Sequence, residues 1–324
     1  MTEANAGTAL AFGAGITAHT TRDEILAAAR TVEAAGFDVL NVADHLSRPA
    51  PFAIAAAAAA VTERVRLRTY VLNVYFWTRG RELPDASGAA NAALLAREVA
   101  TLDAISGGRF ELGLGAGHMK HEHDDAGLPF PPIADRVAEM EGAILDVRRR
   151  LADPAYQPAP VQTPVPLSIG AWGDASMRVA ARHAEIISLT GMVQIKGKPP
   201  GTFDLSPVPE VDRRLERLRA TLDRERPAES PIPVLDCLLQ VVNVNTDPEE
   251  AATALVAEYG DNYTVAQVLE SPFLLLAATP EDAVDELLRR RKRWGISSWC
   301  THTASIPALA EVVAAYRNRV RANR

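Results

Sequence analysis

Strand-like and helix-like segments alternate along the whole of this chain, and no other feature narrows its fold as much. Residues 10–16 read as a first strand, and Thr21-Arg22-Asp23-Glu24 has the form of a capping box opening a helix that Gly36 stops. Further strands are expected at 39–43, 65–73, 109–114, 166–170, 185–190, 234–244 and 296–300. Between and after them, apolar spacing predicts helices over the alanine-rich stretch 50–61 and over 91–105, 133–151, 175–184, 209–224, 248–259, 280–294 and 306–320. Strands alternating with helices form right-handed βα crossovers, and therefore a parallel sheet. About eight such units are present, the number that closes a barrel. The expectation is an α/β fold, a single (β/α)8 TIM-barrel domain over residues 1–324 with insertions after strands. Two stretches, 75–90 and 191–209, are too long for ordinary connections, and both follow strands, on the face where such barrels place their chemistry.

The bulk numbers exclude several classes of function. Net charge is -7, which argues against nucleic acid or an anionic membrane as the main partner and leaves a small molecule. The longest apolar run, 50–61, is too short to cross a bilayer. Residues 1–7 lack the basic start and apolar run of a signal peptide. Cys237 and Cys300 each lie in an apolar stretch and read as buried free thiols, with no zinc spacing. A cytoplasmic protein is expected.

Chemistry-bearing residues concentrate around one glycine-rich run. Gly107-Gly108-Arg109-Phe110-Glu111-Leu112-Gly113-Leu114-Gly115-Ala116-Gly117 reads as a turn, a buried strand and a glycine-rich exit, followed by His118-Met119-Lys120-His121-Glu122-His123. The Gly113-x-Gly115-x-Gly117 spacing is not a dinucleotide fingerprint, because Pro129, Pro131 and Pro132 intervene before any helix. The ligand types of His118, His121, Glu122, His123, Asp124 and Asp125 are bunched on one loop without a distant partner set, so no metal site is assigned. Glu122 is expected to order this loop by pairing with Arg136. The run Arg289-Arg290-Arg291-Lys292-Arg293 closes a helix and reads as a solvated face. Lys120, Lys196, Lys198 and Lys292 are the chain's lysines, and none lies in an expected strand, which argues against a Schiff-base barrel.

The run Ser106-Gly107-Gly108-Arg109-Phe110 with Gly113-Leu114-Gly115-Ala116-Gly117 resembles the luciferase-like monooxygenase superfamily. Matching pieces stand in order around it: Ala43-Asp44-His45, Leu95-Ala96-Arg97-Glu98, Thr101-Leu102-Asp103, Gly127-Leu128-Pro129-Phe130, Arg136, Ile169-Gly170-Ala171, Ser271-Pro272, Ala278-Thr279-Pro280 and Trp294-Gly295-Ile296-Ser297. Asp44-His45 and the Gly-Ala-Gly-His pattern are most similar to the branch that uses the deazaflavin coenzyme F420.

That resemblance implies a cofactor at the carboxyl ends of the strands, propped by a bulge with a non-proline cis peptide at Tyr70-Val71, and Asn73 beyond it. It implies a proton role for His45 and a place for Asp44 near the ring edge. Gly115, Ala116, Gly117 and His118 would meet the cofactor on one side. Trp172, Gly173 and Asp174 would meet it on another, with Gly173 to Ala175 as a helix start for its phosphate. Trp172 either narrows the pocket or is a core residue. His118 stands where some relatives carry a glutamate acid, and no aromatic follows Asp44-His45, so a sugar-phosphate substrate does not carry over. Tyr75, Phe76, Trp77, Arg79 and Arg81 are expected to wall the substrate side. The resemblance therefore implies hydride transfer between coenzyme F420 and an unidentified small organic substrate, with His45 and His118 as catalytic residues, in a homodimer. Two alternatives stay open: an FMN-dependent two-component monooxygenase, and a barrel that binds the cofactor without catalysis.

Overall fold

The computed structural model describes residues 9–18, 20–78, 92–194, 203–259 and 263–323. Eight strands build its centre: β1 (Ala11–Gly15), β2 (Val39–Val42), β3 (Arg66–Thr69), β4 (Phe110–Gly115), β5 (Leu167–Gly170), β6 (Ile186–Leu189), β7 (Val234–Leu239) and β8 (Ile296–Thr301). Each pairs in parallel with the next, and β8 returns to β1 with Ala11 opposite Ser298, so the sheet closes. This is the (β/α)8 barrel that the alternation predicts.

Local signals set the helix limits. Helix Arg22–Ala34 opens with the complete Thr21/Glu24 capping box, and Gly36 follows it at φ +83°. Helices Ile133–Leu151, Pro248–Tyr259 and Pro280–Trp294 have the expected bounds. Proline at the first helical turn, with Thr279 capping Asp282 N–H, fixes the start of the last of these.

Two expected strands are broken. The stretch 65–73 divides at a cis peptide between Tyr70 and Val71, after which Leu72–Asn73 rejoins β4 as a short strand. The stretch 234–244 divides at Gln240, whose N–H donates to Phe273 O at 2.8 Å. β7 already has β6 and β8 as neighbours, so Val241–Val244 leaves the barrel and pairs in parallel with Leu274–Ala277. Of the two long stretches, 75–90 begins inside the short helix Val74–Thr78, and 191–209 contains an antiparallel pair, Met192–Gln194 with Phe203–Leu205. Arg79, Arg81, Lys196 and Lys198 lie outside the described residues.

The barrel interior is polar and charged. Buried Arg68 on β3 donates to Glu111 on β4 at 2.5 Å and lies 3.4 Å from Asp236 on β7. Asp236 also accepts from Ser298 on β8 at 2.5 Å and from the Tyr70 hydroxyl at 2.8 Å. Burial, then the Asp236 charge, raises the Tyr70 phenol well above its ordinary range. Trp299, the neighbour of Ser298, points the other way, beneath Arg290 of the helix Pro280–Trp294. Arg290 therefore departs from the expected solvated face: it is 3% exposed and donates to Pro272 O at 3.0 Å. Burial lowers its guanidinium to about 10. Both cysteines are free and buried.

Candidate active site

The exits of β2, β3 and β4 converge at one mouth of the barrel. Beyond β2, Ala43 N–H is held by Thr17 Oγ1 at 2.9 Å, which sets the turn presenting Asp44 and His45. Asp44 Oδ2 accepts from Asn73 N–H at 3.1 Å and from Trp77 Nε1–H at 3.0 Å. Asp44 thus ties the second exit to the third, and burial raises its carboxyl above the usual range.

Beyond β3, the bulged chain is received by glycines. A Cβ on Gly115 would stand 2.6 Å from Val71 Cγ2, and one on Gly170 3.1 Å from the same atom. Gly117 has φ +74°, and a Cβ there would stand 2.6 Å from Asn73 Oδ1. Gly115 and Gly117, expected from the sequence to meet a cofactor, first make room for Val71 and Asn73, and Gly170 joins them against Val71.

Beyond β4, the polar loop forms a short helix, Lys120–Asp125, that turns two of its side chains inward. His123 Nδ1–H donates to Pro129 O at 2.7 Å, so its Nε2 accepts from the Asn73 amide at 2.9 Å. Glu122 does not meet Arg136. Its Oε1 lies 3.0 Å from His45 Nδ1 and accepts from Leu46 N–H at 3.3 Å. Arg136 instead covers the Phe130 ring at 3.8 Å and donates to Pro131 O. Lys120 pairs with Asp124 one turn along the same helix.

The His45 and His118 rings meet edge to face, 6.1 Å apart. Crowding by protein lowers the His118 imidazole to about 4, with repulsion from His45 next. The ring is therefore neutral at pH 7. The ordinary value near 6.5 governs the unfolded chain, so between pH 6.5 and 4 only the unfolded state takes up this proton. The stability present above pH 6.5 is therefore lost as pH falls through that window. His118→Asn is expected to lose less stability than wild type between pH 7 and 4.5, measured by urea midpoints at both values. A wild-type slope equal to that of the variant would refute the assignment.

The fourth expected group, residues 172–174, is built differently. Trp172 is buried, donates to Ser206 Oγ at 2.8 Å and packs edge-on against Phe273. Gly173 precedes helix Asp174–His183, and no side chain caps that helix start. A Cβ on Gly173 would meet nothing closer than 4.0 Å, so no described protein atom requires glycine there. Asp174 pairs with Arg217 at 3.2 Å.

His302, at the exit of β8, adds a residue that is not among those expected from the sequence. Crowding by surrounding protein, then repulsion from His45, lowers the imidazole of this surface-exposed residue, and its Nε2 lies 3.1 Å from Gln240 Oε1. The available signal was a histidine two residues beyond the strand expected at 296–300. Behind Gln240 and Ser206 opens a cavity of about 600 Å³, lined by Leu205, Val208, Leu255 and Leu274 with Asp204 and Glu270. Its described lining contains no lysine, arginine or histidine.

In closed parallel barrels the strand exits are where ligand sites are built, and here they carry a cluster of ionisable side chains. The chain belongs to the luciferase-like monooxygenase family, whose model matches residues 6–198. Two F420-dependent glucose-6-phosphate dehydrogenases are similar to it. That of Intrasporangium calvum is 29% identical over 59% of this chain and 59% of its own. That of Beutenbergia cavernae is 32% identical over 62% of this chain and 61% of its own. The chain thus spans about three-fifths of the length of these curated relatives. Among solved structures, an F420-dependent secondary alcohol dehydrogenase in complex with an F420-acetone adduct shares the fold, with TM-score 0.71 at 16% identity, over 96% of this chain and 100% of that one.

Proposed function

We propose that this protein, as a single barrel domain, is an oxidoreductase that moves a hydride between coenzyme F420 and a small organic substrate. The observation that carries the reading is the meeting of Asp44, His45, Asn73, Gly117 and His118 at one mouth, around a bulge seated on Gly115 and Gly170. The names of the curated relatives favour the deazaflavin over FMN.

These residues suit a flat ring with a phosphate-bearing tail. The bulge at Tyr70 and Val71 would back the ring, with Asp44, Asn73 and Gly115 to His118 along its edges. The open, uncapped helix start at Gly173 would receive the phosphate, while Arg217 draws the Asp174 carboxylate aside. When bound, F420 supplies a carbon centre that accepts or donates a hydride in two-electron steps. The protein's share is orientation and proton handling: His45 exchanges the proton that accompanies the hydride, and the neutral His118 ring beside it supplies a second polar contact without adding charge.

Parallel titrations with F420 and FMN, followed by fluorescence and melting temperature, test this. F420 at 100 times its dissociation constant is expected to stabilise the fold by about 2.7 kcal/mol. Preference for FMN would indicate the monooxygenase, and no response to either would remove the cofactor assignment. Glucose 6-phosphate is expected not to reduce bound F420. His118 replaces the acidic residue of some relatives, and no aromatic follows Asp44-His45. Rapid reduction with that sugar phosphate would refute this part. Cytoplasmic residence and a homodimer belong to the same proposal, supported by free buried thiols at Cys237 and Cys300 and by exposed Ile105, Ile133 and Leu145.

A further inference from the structure

A neutral imidazole carries one ring proton, and the partner of one nitrogen decides what the other can do. Free histidine favours the proton on Nε2. At His45 the surroundings favour the reverse. Nδ1 faces Glu122 Oε1 at 3.0 Å, and an ionised carboxylate only accepts hydrogen bonds. Glu122 is itself held: its side chain is 7% exposed, and the same oxygen accepts from Leu46 N–H at 3.3 Å. His45 is about one-third exposed, with Nδ1 already engaged, so Nε2 is the nitrogen left for a ligand. The other ionisable groups recorded around it are Asp44 beside it in sequence, His118 edge-on, and His302 at the exit of β8.

We propose that Glu122 is the positioning residue of this site: it holds His45 as the Nδ1–H tautomer and so presents Nε2 to the substrate. The inference rests on the oxidoreductase reading for its purpose, though not for its test. For a substrate alcohol carbon, oxidation to the carbonyl sends the C–H hydrogen with its electron pair to oxidised F420, and the hydroxyl proton to Nε2. The imidazolium so formed lies against the Glu122 carboxylate, and the reverse reaction returns the same proton. Glu122 touches neither substrate nor cofactor in this scheme; it acts through His45, as a carboxylate that fixes a histidine's tautomer does in other hydrogen-bonded pairs.

The test is a two-bond proton–nitrogen correlation spectrum of the full-length protein with labelled histidine, at pH 8 and without cofactor. The chain has seven histidines, and the His45 signals are those lost in His45→Asn. Wild type is expected to show His45 protonated on Nδ1. Glu122→Ala is expected to shift it to the Nε2–H pattern, and Glu122→Gln, whose carbonyl can accept the same N–H, to restore Nδ1–H. His123, fixed by Pro129 O, provides an internal Nδ1–H reference that neither variant moves. An Nε2–H pattern for His45 in wild type overturns the proposal, as does an unchanged pattern in Glu122→Ala. The wild-type spectrum decides the matter by itself should the alanine variant not fold. If F420 fails to bind wild type while the tautomer switch is seen, the redox reading falls and the hold of Glu122 on His45 stands.

Discussion

Replacing Gly113 by alanine is expected to destabilise the fold severely. An added Cβ would lie 1.7 Å from Thr69 O and 2.8 Å from Thr69 C, which are backbone atoms that cannot swing aside. The same two residues are joined by hydrogen bonds. Gly113 N–H donates to Thr69 Oγ1 at 2.8 Å, and that hydroxyl donates to Gly113 O at 3.0 Å. Here β3 bulges away and the threonine side chain replaces the missing ladder bonds to β4. Forcing the strands apart would break both bonds and unseat Val71, whose Cγ1 is 3.3 Å from the same added carbon. The loss is expected to exceed about 4 kcal/mol, a large part of a typical total of 5–15 kcal/mol. Gly107→Ala is the matched control. Its φ of +66° strains any side chain, but nothing lies within 4 Å, so about 1–2 kcal/mol should be lost. Urea midpoints of the two variants decide it, and a Gly113→Ala protein melting near wild type would contradict the packing described.

This glycine also marks the boundary of what the residues could tell. Eight strands and the principal helices were legible because their signals are local: apolar period, the Thr21/Glu24 box, and proline at the first turn of Pro280–Trp294. Glycine at 113 and 115 was legible as close approach, but the approaching partner was not. The Thr69 carbonyl and the Val71 side chain fill those places, from a strand more than forty residues earlier. Glu122 shows the same limit. Its helix, Lys-His-Glu-His-Asp-Asp, has no apolar period, and its partner His45 is 77 residues away. A pairing with Arg136 satisfied charge in one dimension; the fold instead gives that carboxylate to a histidine at another strand exit. The excursion at Val241–Val244 was hidden because a strand leaving a barrel has the same composition as one inside it.

The second large effect belongs to the charges inside the barrel. Arg68→Met is expected to cost about 3–5 kcal/mol, because removing one member of a buried ionic group strands the others. Arg68 is 3% exposed and stands between Glu111 and Asp236, whose combined attraction outweighs its burial and raises its already high pKa. Glu111 would keep Arg66, a half-buried partner, whereas Asp236 would retain only hydroxyl and thiol donors in a site closed to water. The penalty should therefore fall chiefly on Asp236. Arg68→Met combined with Asp236→Asn is then expected to be more stable than Arg68→Met alone, since the amide removes the uncompensated charge. The asparagine carbonyl can still accept from the Tyr70 hydroxyl, so the bulge that Tyr70 begins should keep its anchor. If the double variant equals the sum of the singles, the three charges do not act as one group, and the interior must be held by packing alone.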